Sequence, residues 1–161
     1  MGYYVRAFYK SSDVSSINEV LKWMCSRGYD MFIDDRDVEA EDWDSTGWDH
    51  VSLKYKEEKL PILVECNRDD GSEQCMLRQE IDEFLEFIGK PGFSLAKRKV
   101  IKHLEDTKFV ICCQWLTSDI DDDGCDASNE FLRYFVEHCE GMTQFDGEGF
   151  YENRRLILKC R

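Results

Sequence analysis

The sequence predicts one α+β domain in which a mixed β-sheet carries helices on a face. Two kinds of segment alternate along the chain: short aromatic and aliphatic runs, typical of strands, and longer segments whose apolar residues recur at helical spacing. A length of 161 residues suits one domain, and 42% hydrophobic residues suffice for a core. We expect a single globular domain over residues 1–161, with a sub-lobe break near residues 89–92, where Gly-Lys-Pro-Gly interrupts the pattern.

The first half of the chain predicts a strand, a helix and three further strands. Residues 3–9 have the composition of a buried strand. The spacing of Ser16 and Glu19 matches a capping box, which begins a helix that ends at Gly28. An acidic segment over residues 34–49 is predicted to be a loop. The other strands are predicted over residues 31–33, 51–55 and 61–66, the last two forming a hairpin.

The second half predicts three helices and three strands. Two helices, over residues 71–89 and 94–104, precede a strongly apolar strand over residues 108–116. A third helix ends at Gly141, and the last two strands span residues 142–151 and 155–160. If one strand is interrupted, the order of elements from the first strand to the strand over residues 108–116 approximates the split βαβ or ferredoxin-like arrangement (βαββαβ). The helix and two strands that follow form a C-terminal α-β-β extension.

The charge of the chain excludes several classes of partner. The sequence has 34 Asp and Glu against 21 Lys and Arg, a formal net charge of −13. Such a chain repels phosphates, so we expect no nucleic-acid partner and no anionic membrane surface. No stretch reaches the roughly 20 apolar residues of a membrane helix. We expect a cytoplasmic protein, because no export signal is visible in the sequence. The eight cysteines are then expected to be free thiols rather than disulfides.

One segment matches a metal-binding template. Asp119, Asp121, Asp123, Gly124 and Glu130 fit D-x-[DN]-x-[DN]-G-x₅-E. In these five residues the segment resembles the loop of the EF-hand family. The resemblance implies a Ca²⁺ site whose ligands are Asp119, Asp121, Asp123 and Glu130, with Glu130 at the start of a helix.

The segment also departs from the EF-hand pattern. The eighth loop position, which is apolar in paired EF-hands, is Asp126, and a strand rather than a helix precedes the loop. The alternative is that Asp126 or Ser128 caps the following helix and that the nearby acids favour its positive N-terminal end. No other cofactor is indicated.

A wider resemblance involves two separated segments. Ser118-Asp119-Ile120-Asp121-Asp122-Asp123-Gly124 and Asp146-Gly147-Glu148-Gly149-Phe150-Tyr151 resemble a pattern in small uncharacterised bacterial proteins. The resemblance covers most of the chain and implies no activity.

The acidic segment also contains two tryptophans. It carries eight carboxylates against the single Arg36. Aromatic side chains in polar surroundings often anchor a partner surface. The alternative is a flap folded back on the body with the indoles over the sheet. The candidate partner-binding residues are Asp42, Trp43, Asp44, Trp48 and Asp49.

Catalytic signatures are sparse. Asp146 and Glu148 are close in sequence and could form an acid/base pair, although a D-G-x-G stretch between strands is more typical of a hairpin turn. The common hydrolase and nucleotide-binding motifs do not occur. The sequence therefore favours an acidic, intracellular, non-enzymatic binding module that engages a basic protein, such as a toxin-neutralising immunity protein. The alternatives are a calcium-binding protein and an enzyme of unrecognised class. The sequence leaves the oligomeric state open.

Overall fold

Eight strands of the chain form a single β-sheet with helices packed against it. The computed structural model describes residues 2–39 and 42–160, so Glu41 of the acidic segment lies outside the described residues. In chain order the elements are β1 (Gly2–Tyr9), α1 (Ile17–Ser26), β2 (Phe32–Ile33), β3 (His50–Lys54), β4 (Ile62–Arg68), α2 (Met76–Ile88), α3 (Leu95–Glu105), β5 (Phe109–Leu116), α4 (Asp122–His138), β6 (Gly141–Phe145), β7 (Gly149–Glu152) and β8 (Arg155–Lys159).

The strands follow the order β2-β3-β4-β5-β1-β6-β7-β8 across the sheet. Every pairing between neighbours is antiparallel, which corrects the expected mixed sheet. At the centre, Cys113 of β5 lies opposite both Val5 of β1 and Val64 of β4. The two central strands thus come from opposite ends of the first 116 residues.

Helices cover both faces of the sheet, which corrects the expectation of helices on a face. Helices α1 and α4 share one apolar cluster with Ala7 of β1, whereas α2 and α3 share a second cluster with its neighbour Phe8. Successive side chains of a strand point to opposite faces. Strands β1 and β5 bury apolar side chains at consecutive positions, and therefore on both faces of the sheet. Helices are needed on both faces to shield these side chains from water.

The predicted ferredoxin-like core is not confirmed as it was assigned. That assignment rested on the order of elements along the chain through β5, with one strand interrupted. In the structure β5 lies between β4 and β1. The segment that joins β4 to β5 contains α2 and α3, the two helices that the sequence predicted there.

The predicted helix starts are confirmed for α1 and α3 but not for α4, nor for α2, which was expected from residue 71 and begins at Met76. The hydroxyl of Ser16 caps α1 by accepting a hydrogen bond from the amide of Glu19. The hydroxyl of Ser94 caps α3 in the same way, by accepting from the amide of Lys97. Helix α4 begins at Asp122, earlier than expected. The predicted strand over residues 142–151 is in fact the hairpin of β6 and β7. No helix in the described part of the chain has the length and hydrophobicity needed to cross a membrane.

Candidate functional site

A groove of about 1040 Å³ lies between α4 and the sheet. Its floor consists of four partly buried aromatic rings, which come from four adjacent strands, β5, β1, β6 and β7. The antiparallel register places these side chains on one face, because Trp115 lies opposite Tyr3 and residues two apart in a strand share a face. We name this site the α4 groove, and its floor residues are Trp115, Tyr3, Phe145 and Tyr151.

The four rings are arranged as two contacting pairs. Tyr3 and Trp115 are stacked, with centroids 5.2 Å apart and planes 25° from parallel. Phe145 and Tyr151 meet edge to face, also with centroids 5.2 Å apart. Both geometries are favoured arrangements for aromatic side chains. The floor is therefore a fixed aromatic surface rather than a set of independent side chains.

Glu148 connects the two ring pairs through hydrogen bonds. Its Oε1 accepts from the Tyr3 hydroxyl at 2.9 Å, and its Oε2 accepts from the Tyr151 hydroxyl at 2.7 Å. Burial and the bond to Glu148 raise the pKa of Tyr3 well above its usual value, and the bond to Glu148 raises the pKa of Tyr151. Both phenols therefore stay protonated at neutral pH and hold the carboxylate in one orientation.

The wall of the α4 groove carries a cluster of ion pairs. Arg133 Nε donates to Glu137 Oε1 at 2.6 Å, and Arg133 Nη1 lies 3.6 Å from Glu130 Oε2. Glu130 is also paired with Arg27 of the α1 C-terminal cap. By contrast, Glu148 at the edge of the floor has no cation partner among the described residues. The groove thus offers one oriented carboxylate that the protein itself leaves unneutralised.

Trp115 also has an unsatisfied polar group. Its indole Nε1 is the only buried side-chain nitrogen or oxygen without a hydrogen-bond partner within residues 2–39 and 42–160. An unpaired buried donor costs about 1–3 kcal/mol. Such groups are rare in folded proteins and are informative where they line a cavity.

The structure separates the predicted carboxylate pair of the Asp146–Glu148 turn. Asp146 accepts from the backbone amide of Tyr4 and pairs with Arg6 at 2.7 Å, and Arg6 in turn pairs with Glu80 of α2. Asp146 is thus tied to groups on the α2 face, whereas Glu148 lies in the α4 groove on the other face. Gly147, with φ of 71°, makes the turn between β6 and β7. The two carboxylates thus have different partners, and the acid/base pair stays a prediction.

The acidic segment is folded against the body of the protein. Trp43 is 6% exposed and Trp48 is 1% exposed, and both belong to the main core on the α1/α4 face. The indole Nε1 of Trp43 donates to the carbonyl of Asp37, and that of Trp48 donates to the carbonyl of Ser15, each at 3.0 Å. The two predicted partner-binding tryptophans are thus internal, and the folded-back flap is what the structure shows.

The predicted partner-binding acids differ in their surroundings. Asp42 and Asp44 are exposed and have no ion pair among the described residues. Asp44 accepts a hydrogen bond from the Asn18 side chain, which fixes the segment to the start of α1. Asp49 pairs with Arg68 at 2.9 Å. The segment therefore presents outward carboxylates from a backbone that its own tryptophans hold in place.

The EF-hand-like acids contact a nearby loop instead of one another. Asp121 caps α4 by accepting from the amide of Gly124, and its other oxygen lies 3.0 Å from the ammonium of Lys56. The same ammonium lies 2.7 Å from Asp123. Asp119 accepts from the backbone amide of Leu60. Lys56 and the cap to Gly124 lower the pKa of Asp121 to about 2.

The structure does not bring Glu130 to this group. Glu130 was expected to begin a helix, but it lies well inside α4 and is 4% exposed. Asp123 and Glu130 are both in α4, about 10 Å apart along its axis. Gly124 makes close packing possible: a Cβ there would lie 2.5 Å from the Tyr55 ring. No three His, Cys, Asp or Glu side chains of residues 2–39 and 42–160 are placed to hold a metal ion. Calcium binding stays a prediction.

The groove residues were missed by sequence reasoning. Of the floor and its edge, only Glu148 was considered, as one member of a catalytic pair. The other residues are separated by up to 148 positions, so no local motif contains them. The available signal was the aromatic content of the strand ends at Tyr3, Trp115 and Tyr151. No protein-family model, no curated protein and no solved structure matches this chain.

Proposed function

We propose that the protein is an acidic, non-enzymatic binding module that engages a basic protein partner. The observation that carries the proposal is the construction of the acidic segment. Trp43 and Trp48 fasten it to the core, while the exposed carboxylates of Asp35, Glu39, Asp42 and Asp44 have no ion pair among the described residues. A charged surface on a rigid support binds with little loss of conformational entropy.

The charge balance of the folded chain supports the same function. Of the carboxylates in residues 2–39 and 42–160, thirteen lie within ion-pair distance of a cation. The remaining acidic residues give the surface a net negative field. Such a field accelerates encounter with a positively charged protein and disfavours acidic competitors. The eight cysteines, all unpaired, support action in the reducing cytoplasm.

We also propose a ferredoxin-like core, made of β1, α1, β4, β5, α4 and β6. In the sheet β5 separates β1 from β4, and β1 separates β5 from β6. The crossover helices α1 and α4 pack on one face. A right-handed sense of both crossovers would agree with this proposal.

The proposed function is tested by binding to a cationic probe protein of pI above 9 at low and moderate salt. The variant Asp42→Asn/Asp44→Asn removes two outward charges from the acidic segment. We expect it to bind about three- to tenfold more weakly, mainly through slower association. Asp82→Asn/Glu83→Gln is the matched control, because it removes two exposed charges from α2 on the other face.

The outcomes separate a specific surface from a general charge effect. Weaker binding only in the acidic-segment variant supports the proposal. Equal weakening by both variants would show that net charge alone attracts the probe. No salt-sensitive binding of the wild-type protein to any basic partner would rule the proposed function out.

A further inference from the structure

We propose that the α4 groove binds an arginine side chain presented by an extended segment of the partner. The inference rests on the proposed function, since it identifies which group of a basic protein the groove recognises. It is carried by the juxtaposition of one unneutralised carboxylate, Glu148, with an aromatic floor of four rings inside a groove of about 1040 Å³.

The carboxylate of Glu148 is prepared for a planar cation. Each of its oxygens already accepts one tyrosine hydroxyl, from Tyr3 or Tyr151. A carboxylate has about four lone-pair positions, so each oxygen can accept a further bond. The two tyrosines fix the plane of the carboxylate before any ligand arrives. A guanidinium can then donate two parallel hydrogen bonds, which an ammonium cannot match.

The aromatic floor favours the same group. A guanidinium stacks on aromatic faces through both cation–π attraction and planar contact. The Tyr3–Trp115 pair offers a stacked surface next to Glu148, and Phe145 with Tyr151 continues it. The chain uses this contact elsewhere: the Arg27 guanidinium lies 4.6 Å from the centre of the Trp23 ring.

The charge balance of the remaining groove residues is compatible with the entry of one further cation. Arg133 is neutralised by Glu130 and Glu137, and Asp126 adds an exposed carboxylate without a cation partner among the described residues. Arg154, in the turn between β7 and β8, is the one groove cation without an ion pair in the described part of the chain. The N–H donors of Arg154 suit carbonyl oxygens of a peptide backbone, whereas its positive charge disfavours a polycation. The occupant is therefore an arginine within a peptide.

The test uses three acetylated and amidated pentapeptides, Gly-Gly-X-Gly-Gly, in which X is arginine, lysine or citrulline. Citrulline retains the shape of arginine without its charge. Binding is followed by NMR through the four tryptophan indole N–H signals. Trp43 and Trp48 serve as internal references, because their indoles are hydrogen-bonded in the core. The signal of Trp115 is assigned with Trp115→Phe.

We expect the arginine peptide to shift the Trp115 signal alone. The lysine peptide binds at least threefold more weakly, and the citrulline peptide at least tenfold. By calorimetry, which does not need the Trp115 signal, Glu148→Gln weakens arginine binding at least tenfold, and Trp115→Leu by about fivefold, as loss of a cation–π contact predicts. Trp115→Phe retains a ring and most of the affinity. Asp82→Asn/Glu83→Gln, on the other face of the sheet, leaves peptide binding unchanged.

Each of the following results would contradict a specific part of the proposed arginine site. Equal binding of the arginine and lysine peptides would show a general cation site. Equal binding of the citrulline peptide, or full binding to Glu148→Gln, would show that Glu148 does not recognise charge. Basic proteins that bind the acidic segment while no peptide shifts Trp115 would overturn this inference and leave the proposed function standing. If basic proteins fail to bind as well, the proposed function fails with it.

Discussion

Arg27, at the C-terminal cap of α1, donates a hydrogen bond to Glu130, which is buried inside α4. The Arg27 guanidinium also covers the face of Trp23 one turn earlier in α1. This contact fixes the register of α1 against α4. It also supplies most of the compensation for a carboxylate that would otherwise be isolated in the core, since Arg133 lies farther away, at 3.6 Å.

Removal of Arg27 should therefore destabilise the protein more than removal of both partners. We expect Arg27→Ala to lower the free energy of unfolding by about 2–3 kcal/mol, because a buried charge loses its nearest partner. Arg27→Ala/Glu130→Gln should lose less, because no buried charge remains. Urea denaturation measures both variants. A loss in the double variant at least as large as in Arg27→Ala would show that Arg27 does not act by compensating the charge of Glu130.

The cap of α4 should contribute to the acid sensitivity of the fold. The Lys56 ammonium and the Gly124 amide lower the pKa of Asp121 from its ordinary value of 3.8 to about 2 in the folded chain. A lowered folded pKa means that the carboxylate stabilises the protein above pH 3.8, and that this contribution is lost as the pH falls through about 2. We expect Asp121→Asn, which keeps a capping side chain, to flatten the melting temperature profile in that window. Asp122→Asn, which removes a charge without an ion pair in the described part of the chain, should leave the profile unchanged.

The same lysine contacts bear on calcium. Because the ammonium of Lys56 already lies between Asp121 and Asp123, and Glu130 is paired elsewhere, we expect no rise in melting temperature with millimolar Ca²⁺. Calorimetry provides a second measurement. A calcium-dependent stabilisation that Asp121→Asn abolishes would support the EF-hand interpretation.

Trp48 should hold the acidic segment in place. Trp48→Ala removes a fully buried indole and its hydrogen bond to Ser15, so we expect a loss of about 3–5 kcal/mol. The acidic segment should then be cleaved first in limited proteolysis. Trp48→Phe retains a ring and should lose less than half as much. Unchanged proteolysis of the segment in Trp48→Ala would contradict this role.

The turn between β7 and β8 carries conformational strain. Asn153 and Arg154 have φ of 48° and 64°, as the two central residues of a type I′ hairpin require. Asn-Gly is the favoured sequence there, and a left-handed non-glycine residue costs roughly 1–2 kcal/mol. We expect Arg154→Gly to raise the free energy of unfolding by about 1 kcal/mol. Arg155→Gly, one residue later in an extended strand, should lower it.

The sequence was sufficient to predict the elements but not their arrangement. Periodicity and caps identified the helices and most strands, because these signals lie within a few residues of one another. The order of strands depends on pairings such as that of Tyr3 with Trp115, which no local pattern contains. The evidence for helices on both faces was present in the unbroken apolar runs of β1 and β5, because such strands need cover on both sides.

The candidate sites show the same limit. The spacing of Asp119, Asp121, Asp123 and Gly124 fits a calcium loop and also fits an N-cap followed by a close helix contact. Lys56 and Tyr55, which decide between the two local geometries, are more than 60 residues away. Likewise, whether Trp48 is exposed depends on the carbonyl of Ser15, to which its indole donates.

The central place of β5 has a consequence for synthesis on the ribosome. β1 pairs only with β5 and β6, so it has no partner in the sheet until more than 100 further residues have been made. At translation rates of 5–20 residues per second this interval is roughly 5–20 s. During it, the apolar surface of β1 is open to other nascent chains. The N-terminal strand is therefore where we expect chaperone dependence and aggregation during expression to arise.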